Sequence, residues 1–383
     1  MRHLQRLLIG LIVVFTLDVP ANAGLVFDLR DGAGLAALQT SNAALYNDVR
    51  QGFTSAGILW SNQFTDDVTV NIQIDYRSLA TNVLGQASSA SFISSLSDFR
   101  TSLIADATTA SDLQAIANVP PGPLQMRTND RAGNVILDNN HSNNNNFLDL
   151  TRANAKAVGL VNAQSTDLDA TIAFSSDFSF DFDRSDGILA SAIDFIGVAA
   201  HEIGHAMGFI SGVDLVDFFS GNGPGKDRDL NEAGEGIGDL ENFAVFNSLD
   251  LFRYSADSLA LGEGVLDTAY GGAPYFSLDG GTTNLGRYST GAFNGNGAQA
   301  SHWLDHQGLG LLDPTLSFGE LGVISSLDVQ SLDVIGWDFN AVAVPEPSSM
   351  LFTTILFAGL TIFRRYTAEA PLLLARRSRQ KIT

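Results

Sequence analysis

One stretch of fifteen residues, DFIGVAAHEIGHAMG, runs from Asp194 to Gly208 and determines how the rest of this sequence is interpreted. Apolar residues or alanines recur through it at helical spacing, and a glycine follows the last of them. Such a pattern predicts a buried helix, because glycine is the usual residue where a chain leaves a helix. The positions that we expect to face the protein interior are 195, 196, 198, 199, 203, 206 and 207.

Two histidines on this predicted helix, His201 and His205, are one helical turn apart. Both imidazoles therefore lie on one face, where they can reach a single zinc ion with bonds of about 2.0–2.1 Å. Glu202 lies beside the pair, where it can take a proton from a zinc-bound water and pass it to the leaving amine. The motif thus predicts a zinc hydrolase site that attacks peptide bonds, with Glu202 as its catalytic acid and base.

A catalytic zinc needs a third protein ligand and one open position. The chain has no cysteine, so that ligand must be a histidine or a carboxylate. The residues alone leave several choices open, which are two distant histidines, two aspartates just beyond the helix and three glutamates of a Gly-rich segment: His302, His306, Asp214, Asp217, Glu232, Glu235 and Glu241.

The pattern from His201 to Phe209, H-E-x-x-H-x-x-G-F, resembles the metzincin zinc peptidases. In the short form of that family, a third His or Asp follows the glycine by three residues, and here that position is Ser211. The resemblance therefore implies a longer form, in which an insertion separates the glycine from the third ligand.

The stretch Ala300-Ser301-His302-Trp303, followed by LLDP at 311–314 and DVIGW at 333–337, resembles the end of leishmanolysin-type metzincins. This resemblance implies that His302 is the third ligand and that residues from about 209 to 300 are the insertion. It also implies that Leu312 lies where the family carries a methionine beneath the zinc. The family pairs its substrate with an edge strand that precedes the zinc helix, and the alternating run 178–183 fits that role.

The remaining pattern predicts an α+β domain with a mixed sheet over residues 24–340. Alternating apolar residues indicate strands, and helical spacing indicates further helices. The strands are expected at 68–76 and 170–183, and the helices at 35–57, 91–107, 153–160 and 326–335. Ser326 is the expected cap of the last helix. The glycine-dense region 209–300 has few regular patterns and forms the long irregular insertion.

The first 23 residues have the three parts of a secretory signal peptide. Arg2 and Arg6 form a basic start, Leu7–Leu17 an apolar core, and Ala21-Asn22-Ala23 a cleavage site. We therefore predict export and cleavage by signal peptidase, with the mature chain starting near Gly24.

The other end of the chain, residues 344–365, also has three parts. A VPEPS segment at 344–348 is followed by an apolar run from Met350 to Phe363 and by Arg364-Arg365. This order resembles the PEP-CTERM sorting signal of Gram-negative bacteria that produce exopolysaccharide. The resemblance implies transient membrane anchoring and recognition by an exosortase. A basic tail, 366–383, continues beyond the usual end of such signals.

The charge of the chain excludes some classes of partner. Residues 24–363 contain 13 basic and 40 acidic side chains, a net charge near -27. Such a field repels nucleic acid and anionic membrane surfaces, so we expect neither as a partner. Of the 42 acidic residues, 34 are Asp. Asp-rich, Gly-rich loops favour solvated turns and leave Ca²⁺ as a second ion beside Zn²⁺.

These features predict a secreted zinc metalloendopeptidase that hydrolyses a protein or peptide substrate in the cell envelope or the exopolysaccharide outside a Gram-negative cell. Two other functions remain open. One is a matrix or surface protein with a structural metal site, although such a site needs no general base like Glu202. The other is a zinc amide hydrolase that acts on the exopolysaccharide.

Overall fold

A computed structural model describes residues 24–226 and 240–339 of the 383-residue chain. The predicted signal peptide (1–23), sorting signal (344–365) and basic tail (366–383) lie outside the described residues, as do Glu232 and Glu235. All described residues belong to one compact unit that ends at Phe339. Among the helices of that unit, none has the length and apolar character needed to cross a bilayer.

Helices and short strands are interspersed along the described residues. The helices are α1 (Ala33–Ser41), α2 (Ala43–Ser61), α3 (Leu96–Asp106), α4 (Ala110–Asn118), α5 (Asn143–Asn146), α6 (Arg152–Ala157), α7 (Phe195–Met207), α8 (Val213–Phe219), α9 (Ala256–Leu259) and α10 (Ser326–Asp333), with 3₁₀ turns at Leu240–Asn242 and Ser248–Phe252. The strands are β1 (Val26–Asp31), β2 (Thr69–Arg77), β3 (Gly85–Ser89), β4 (Ser91–Ser95), β5 (Met126–Asn129), β6 (Val135–Asp138), β7 (Phe147–Thr151), β8 (Ala170–Ser175), β9 (Phe180–Asp181), β10 (Ile193–Asp194), β11 (Arg253–Tyr254), β12 (Leu266–Asp267), β13 (Tyr275–Phe276) and β14 (Gly286–Arg287).

The main sheet has four strands in the order β1-β2-β8-β3. The first three strands run parallel, and β3 pairs antiparallel with β8 at the edge, where Gly85 lies opposite Phe174. The other sheets have two or three short strands each, and β11 to β14 all lie beyond α7. This arrangement confirms the predicted α+β class with a mixed sheet.

One face of the main sheet packs against α2 and α7. Val70, Ile72 and Ile74 of β2 are fully buried, as the alternating pattern of this strand predicts. Phe53 of α2 lies at 5.4 Å from Phe195 at the start of α7, measured between ring centroids. Burial of each such apolar side chain stabilises the fold by about 1.5–3 kcal/mol. The core therefore fixes α7 between α2 and the sheet.

Two tryptophan side chains from other segments also bind α7, through hydrogen bonds to its backbone carbonyls. Trp60 donates its Nε1–H to the carbonyl of Ala200 at 2.7 Å, and Trp337 donates to the carbonyl of Met207 at 2.9 Å. Both tryptophans are fully buried. Because the residues come from α2 and from the end of the described chain, they tie two distant segments to the same helix.

Several predicted boundaries were wrong. The helix expected at 35–57 is broken at Asn42, whose side chain accepts the N–H of Leu45 and caps α2. The helix expected at 91–107 begins with the strand β4. Ser325, not Ser326, caps α10, because its hydroxyl and the Asp328 carboxylate bond each other's backbone N–H groups.

The prediction of one continuous strand at 170–183 was also wrong, since β8 ends at Ser175 and a turn precedes β9. The alternation of phenylalanines in the second half has another cause. Phe180 and Phe182 pack on Phe195, with ring centroids at 5.4 and 4.6 Å. The pattern therefore reports packing against α7 and not a long strand.

Five carboxyl groups gather where the described chain ends, on Asp66, Asp106, Asp112, Asp333 and Asp338. Asp66 accepts the N–H of Asp338 at 2.9 Å, and Asp333 accepts the hydroxyl of Thr109 at 2.8 Å. Burial, and to a smaller extent the neighbouring carboxylates, raise the pKa of Asp66 and Asp333 to about 7 and that of Asp106 to about 8. Ionisation of Asp66, Asp106 and Asp333 therefore costs folding free energy.

We expect the melting temperature to fall as the pH rises from 5.5 to 8.5. The unfolded chain releases these protons near pH 3.8, whereas the folded protein keeps them until pH 7–8, so rising pH favours unfolding across that interval. A loss of about 1 kcal/mol lowers Tm by roughly 2–4 °C in a domain of this size. Asp66→Asn keeps an acceptor for Asp338 but cannot ionise, so its Tm should depend less on pH. An equal slope in the variant would contradict this account.

Candidate metal centre

The predicted metal-binding helix is α7, and its boundaries agree with the sequence. It runs from Phe195 to Met207. Gly208 follows with φ at 125°, a backbone conformation that residues other than glycine rarely adopt. All seven positions expected to face the interior are buried. Helical spacing then places His201 and His205 on the one face that the core does not cover.

Three imidazole rings meet at that face, because His302 approaches from the far end of the chain. The Nε2 atoms of His201 and His205 are 3.0 Å apart, and each lies 3.2 Å from Nε2 of His302. His302 is buried, and the other two rings are half-buried. Among the described residues, this is the one group of three or more His, Cys, Asp or Glu side chains whose ligand atoms converge.

The other nitrogen of each ring bonds to a backbone carbonyl. Nδ1 of His201 lies 2.9 Å from the Leu311 oxygen, and Nδ1 of His205 lies 2.7 Å from the Phe209 oxygen. His302 has the longest of these contacts, 3.3 Å to the Gln299 oxygen. A carbonyl only accepts, so Nδ1 must carry the proton in each neutral ring, and Nε2 is left with a lone pair.

Three lone pairs thus point at one another, which is repulsive unless a cation lies between them. Burial lowers the pKa of all three histidines, to about 3 for His205, so protons are poor candidates for that cation. A tetrahedral zinc with bonds of 2.0–2.1 Å needs nitrogens about 3.3 Å apart, close to the separations found here. The cluster can therefore hold a metal ion, and zinc fits it.

Asp328 at the start of α10 organises the segments around two of the rings. Its carboxylate accepts the Leu311 N–H at 2.7 Å and the indole N–H of Trp303 at 2.8 Å. The carbonyl of Leu311 is the acceptor for His201, and Trp303 follows His302, so one buried carboxylate supports both sides of the site.

Leu312 packs against Gly204 of α7, the helix that carries His201 and His205. A Cβ atom at Gly204 would lie only 2.7 Å from Cδ2 of Leu312, so any side chain at this position would displace Leu312. Leu312 is fully buried, and its carbonyl accepts the Trp303 N–H at 2.8 Å. A buried apolar side chain therefore lies against the helix that carries the two histidines.

Glu202 lies outside the group of three converging nitrogens and close to the edge strand β3. It is 6% exposed, and burial raises its pKa to about 8 even though the Ala87 N–H donates to the carboxylate. A Cβ atom at Gly85 would lie 3.0 Å from Oε1 of Glu202, so β3 passes close to this carboxyl group. A carboxyl so placed can hold or release a proton near neutral pH without binding the metal itself.

The rival ligands lie elsewhere or do other work. Asp214 accepts hydrogen bonds from Ala300 and Ser301, and Asp217 accepts them from residues 293 and 294. The side chain of His306 is 84% exposed and lies 3.3 Å from Asp305. Glu241, the one rival glutamate that the structure describes, is outside the converging group.

Sequence reasoning placed the edge strand in the wrong segment. Phe180–Asp181 pairs with β10 in a separate two-stranded sheet, whereas β3 forms the edge beside α7. It also missed the supporting roles of Asp214 and Asp328. In β3 the sequence GQASS lacks the β-branched and aromatic residues that indicate a strand.

Comparison of the chain with protein-family models, with curated proteins and with solved structures gives no match. The geometry of the centre is therefore the basis for assigning a function.

Proposed function

We propose that this protein is an exported zinc endopeptidase of the metzincin type. The observation that carries the proposal is the convergence of three Nε2 lone pairs from His201, His205 and His302, with Glu202 next to His201 on the same helix. The long segment between Gly208 and His302 and the apolar floor at Leu312 support the leishmanolysin-like form. The antiparallel edge strand β3, next to α7 in an otherwise parallel sheet, supports the same fold.

The donor set suits zinc. Three neutral imidazoles with no thiolate and no carboxylate also suit copper, nickel or iron, but an adjacent buried carboxyl group is what hydrolytic zinc sites use. A bound zinc supplies a Lewis acid that acidifies water and polarises the scissile carbonyl. Three protein ligands leave a coordination position for those oxygens, which a structural site would close with a fourth residue.

The residues of this chain then have separate tasks. The carbonyls of Leu311, Phe209 and Gln299 hold the rings in one tautomer and orientation. Glu202 takes the proton of the attacking water on a carboxylate oxygen and returns it to the leaving nitrogen. The burial that raises its pKa helps Glu202 to hold the proton between these two steps.

Beside the centre, β3 offers an edge to an extended peptide. Backbone groups on the outer side of an edge strand can pair with a substrate strand. Such pairing needs an extended polypeptide backbone, so it favours a polypeptide substrate over the amide groups of a polysaccharide. We therefore propose a protein or peptide substrate, cleaved outside the inner membrane after export and sorting as the terminal segments of the sequence predict.

Removal of the metal tests this function. The purified protein should contain a full equivalent of zinc and should hydrolyse a quenched-fluorescent peptide library. A zinc chelator should abolish hydrolysis, and added Zn²⁺, but not Ca²⁺ or Mg²⁺, should restore it. Zinc without any hydrolysis would favour the structural-site function. Cleavage of amide groups in the exopolysaccharide, with peptides left intact, would favour the amide hydrolase.

A further inference from the structure

We propose that Asp214, on the first helix of the insertion, positions His302 for metal binding by clamping the backbone that precedes it. This inference rests on the proposed metal site and adds a residue that does not touch the metal. Asp214 lies in the first turn of α8, six residues after Gly208. The sequence alone left it as one candidate for the third metal ligand.

The three histidines are not fixed equally. His201 and His205 lie on a buried helix, so their backbone position follows from the core, and their Nδ1 contacts are 2.9 and 2.7 Å. His302 lies in an irregular segment, and its own Nδ1 contact, at 3.3 Å, is the longest of the three. The position of its Nε2 therefore depends on how well the surrounding backbone is held.

Both oxygens of Asp214 hold that backbone. Oδ1 accepts the N–H of Ala300 at 2.6 Å, and Oδ2 accepts the N–H of Ser301 at 3.2 Å. The hydroxyl of Ser301 donates to Oδ2 in a further short hydrogen bond. Three bonds to two consecutive residues fix both the place and the orientation of the chain immediately before His302, and bonds to a carboxylate are stronger than neutral ones.

The clamp also connects with the end of α7. The Ser301 hydroxyl accepts the N–H of Ser211 at 2.9 Å, and the Ser211 hydroxyl donates to Asp250 at 2.5 Å. Asp250 in turn accepts the N–H of Gly212 at 2.8 Å. Ser211 occupies the position where short metzincins place their third ligand, so here that position joins the loop that brings the third ligand from elsewhere.

Asp217, one turn along the same helix, is a matched comparison. It is buried and also accepts backbone N–H groups, from Phe293 at 2.8 Å and Asn294 at 2.8 Å. Phe293 and Asn294 are nine and eight residues before His302 in the sequence. None of the hydrogen bonds described for Asp217 involves Ala300 or Ser301. Removing the charge at 217 therefore perturbs the insertion without releasing the third histidine.

The test compares Asp214→Asn with Asp217→Asn in the full chain. Each metal-free protein is titrated with Zn²⁺ against a chromophoric chelator, and Co²⁺ is added separately to record its visible spectrum. We expect Asp214→Asn to bind zinc about 10- to 100-fold more weakly, as supporting partners of metal ligands typically do. Its Co²⁺ spectrum should change, because the geometry of the third nitrogen is loosened. Asp217→Asn should match the wild type in both measurements.

Ser301→Ala gives a second approach if Asp214→Asn fails to fold, since it removes the hydroxyl that bonds Asp214 and Ser211 but leaves the Asp214 charge and its two backbone partners. A smaller loss of zinc affinity is expected. Unchanged zinc affinity in the folded variants would overturn the positioning role. Equal losses at 214 and 217 would also overturn it, because general loosening of the insertion would then suffice. A wild-type protein that binds no zinc would overturn the proposed function as well, which separates the two failures.

Discussion

Glu202→Gln should keep its zinc and lose most of its hydrolytic activity. The three nitrogens converge without Glu202, so the metal does not depend on this side chain. Glutamine has the same size and still offers an oxygen to the Ala87 N–H, but it cannot take a proton. General acid and base catalysis typically contributes about 10²- to 10⁴-fold, so kcat/KM should fall by that factor.

The measurement is zinc per chain by elemental analysis together with kcat/KM on one fluorogenic peptide. Glu263→Gln is the control, because Glu263 is exposed and the change in charge is identical. Retained activity in Glu202→Gln would refute its role as the base. Loss of zinc would instead make Glu202 a ligand, contrary to its position outside the converging group.

His302→Ala should lose zinc and activity together. Two imidazoles on one helix hold a zinc ion weakly and leave its geometry open, whereas a third nitrogen completes the protein ligands of a catalytic site. We expect the isolated variant to contain well below a full equivalent of zinc and to show less activity than Glu202→Gln. Excess Zn²⁺ should restore only part of the activity, since the remaining geometry is wrong.

His306→Ala is the matched control, because it removes the same side chain four residues away, where the ring is 84% exposed. It should keep both zinc and activity. Full zinc occupancy in His302→Ala would remove His302 from the site and would leave the leishmanolysin-like interpretation of residues 300–337 without support.

The helix α7 and the strand β2 could be predicted because their signals are local. Apolar spacing over a dozen residues reports one buried face, and the histidine pair follows from helical geometry alone. The ending at Gly208 could be predicted for the same reason, since the residue type and the required positive φ coincide at one position.

The third side of the site could not be derived in this way. His302 is 97 residues from His205, and only a resemblance in the neighbouring sequence singled it out. The partners of Asp214 are backbone N–H groups 86 and 87 residues away, which no side-chain pattern reveals. The edge strand β3 was missed because Gly85 serves the close approach to Glu202 and not strand propensity.

The long insertion has a consequence for the order of folding. His201 and His205 lie side by side as soon as α7 forms, but His302 must close a loop of roughly a hundred residues, and closure of long loops is entropically costly and slow. In a chain that is made from its N-terminus, only two of the three ligand nitrogens are therefore in place until the last third has been made and has folded. On the proposed function, hydrolytic competence is acquired last, and a partly folded chain cannot cleave its neighbours.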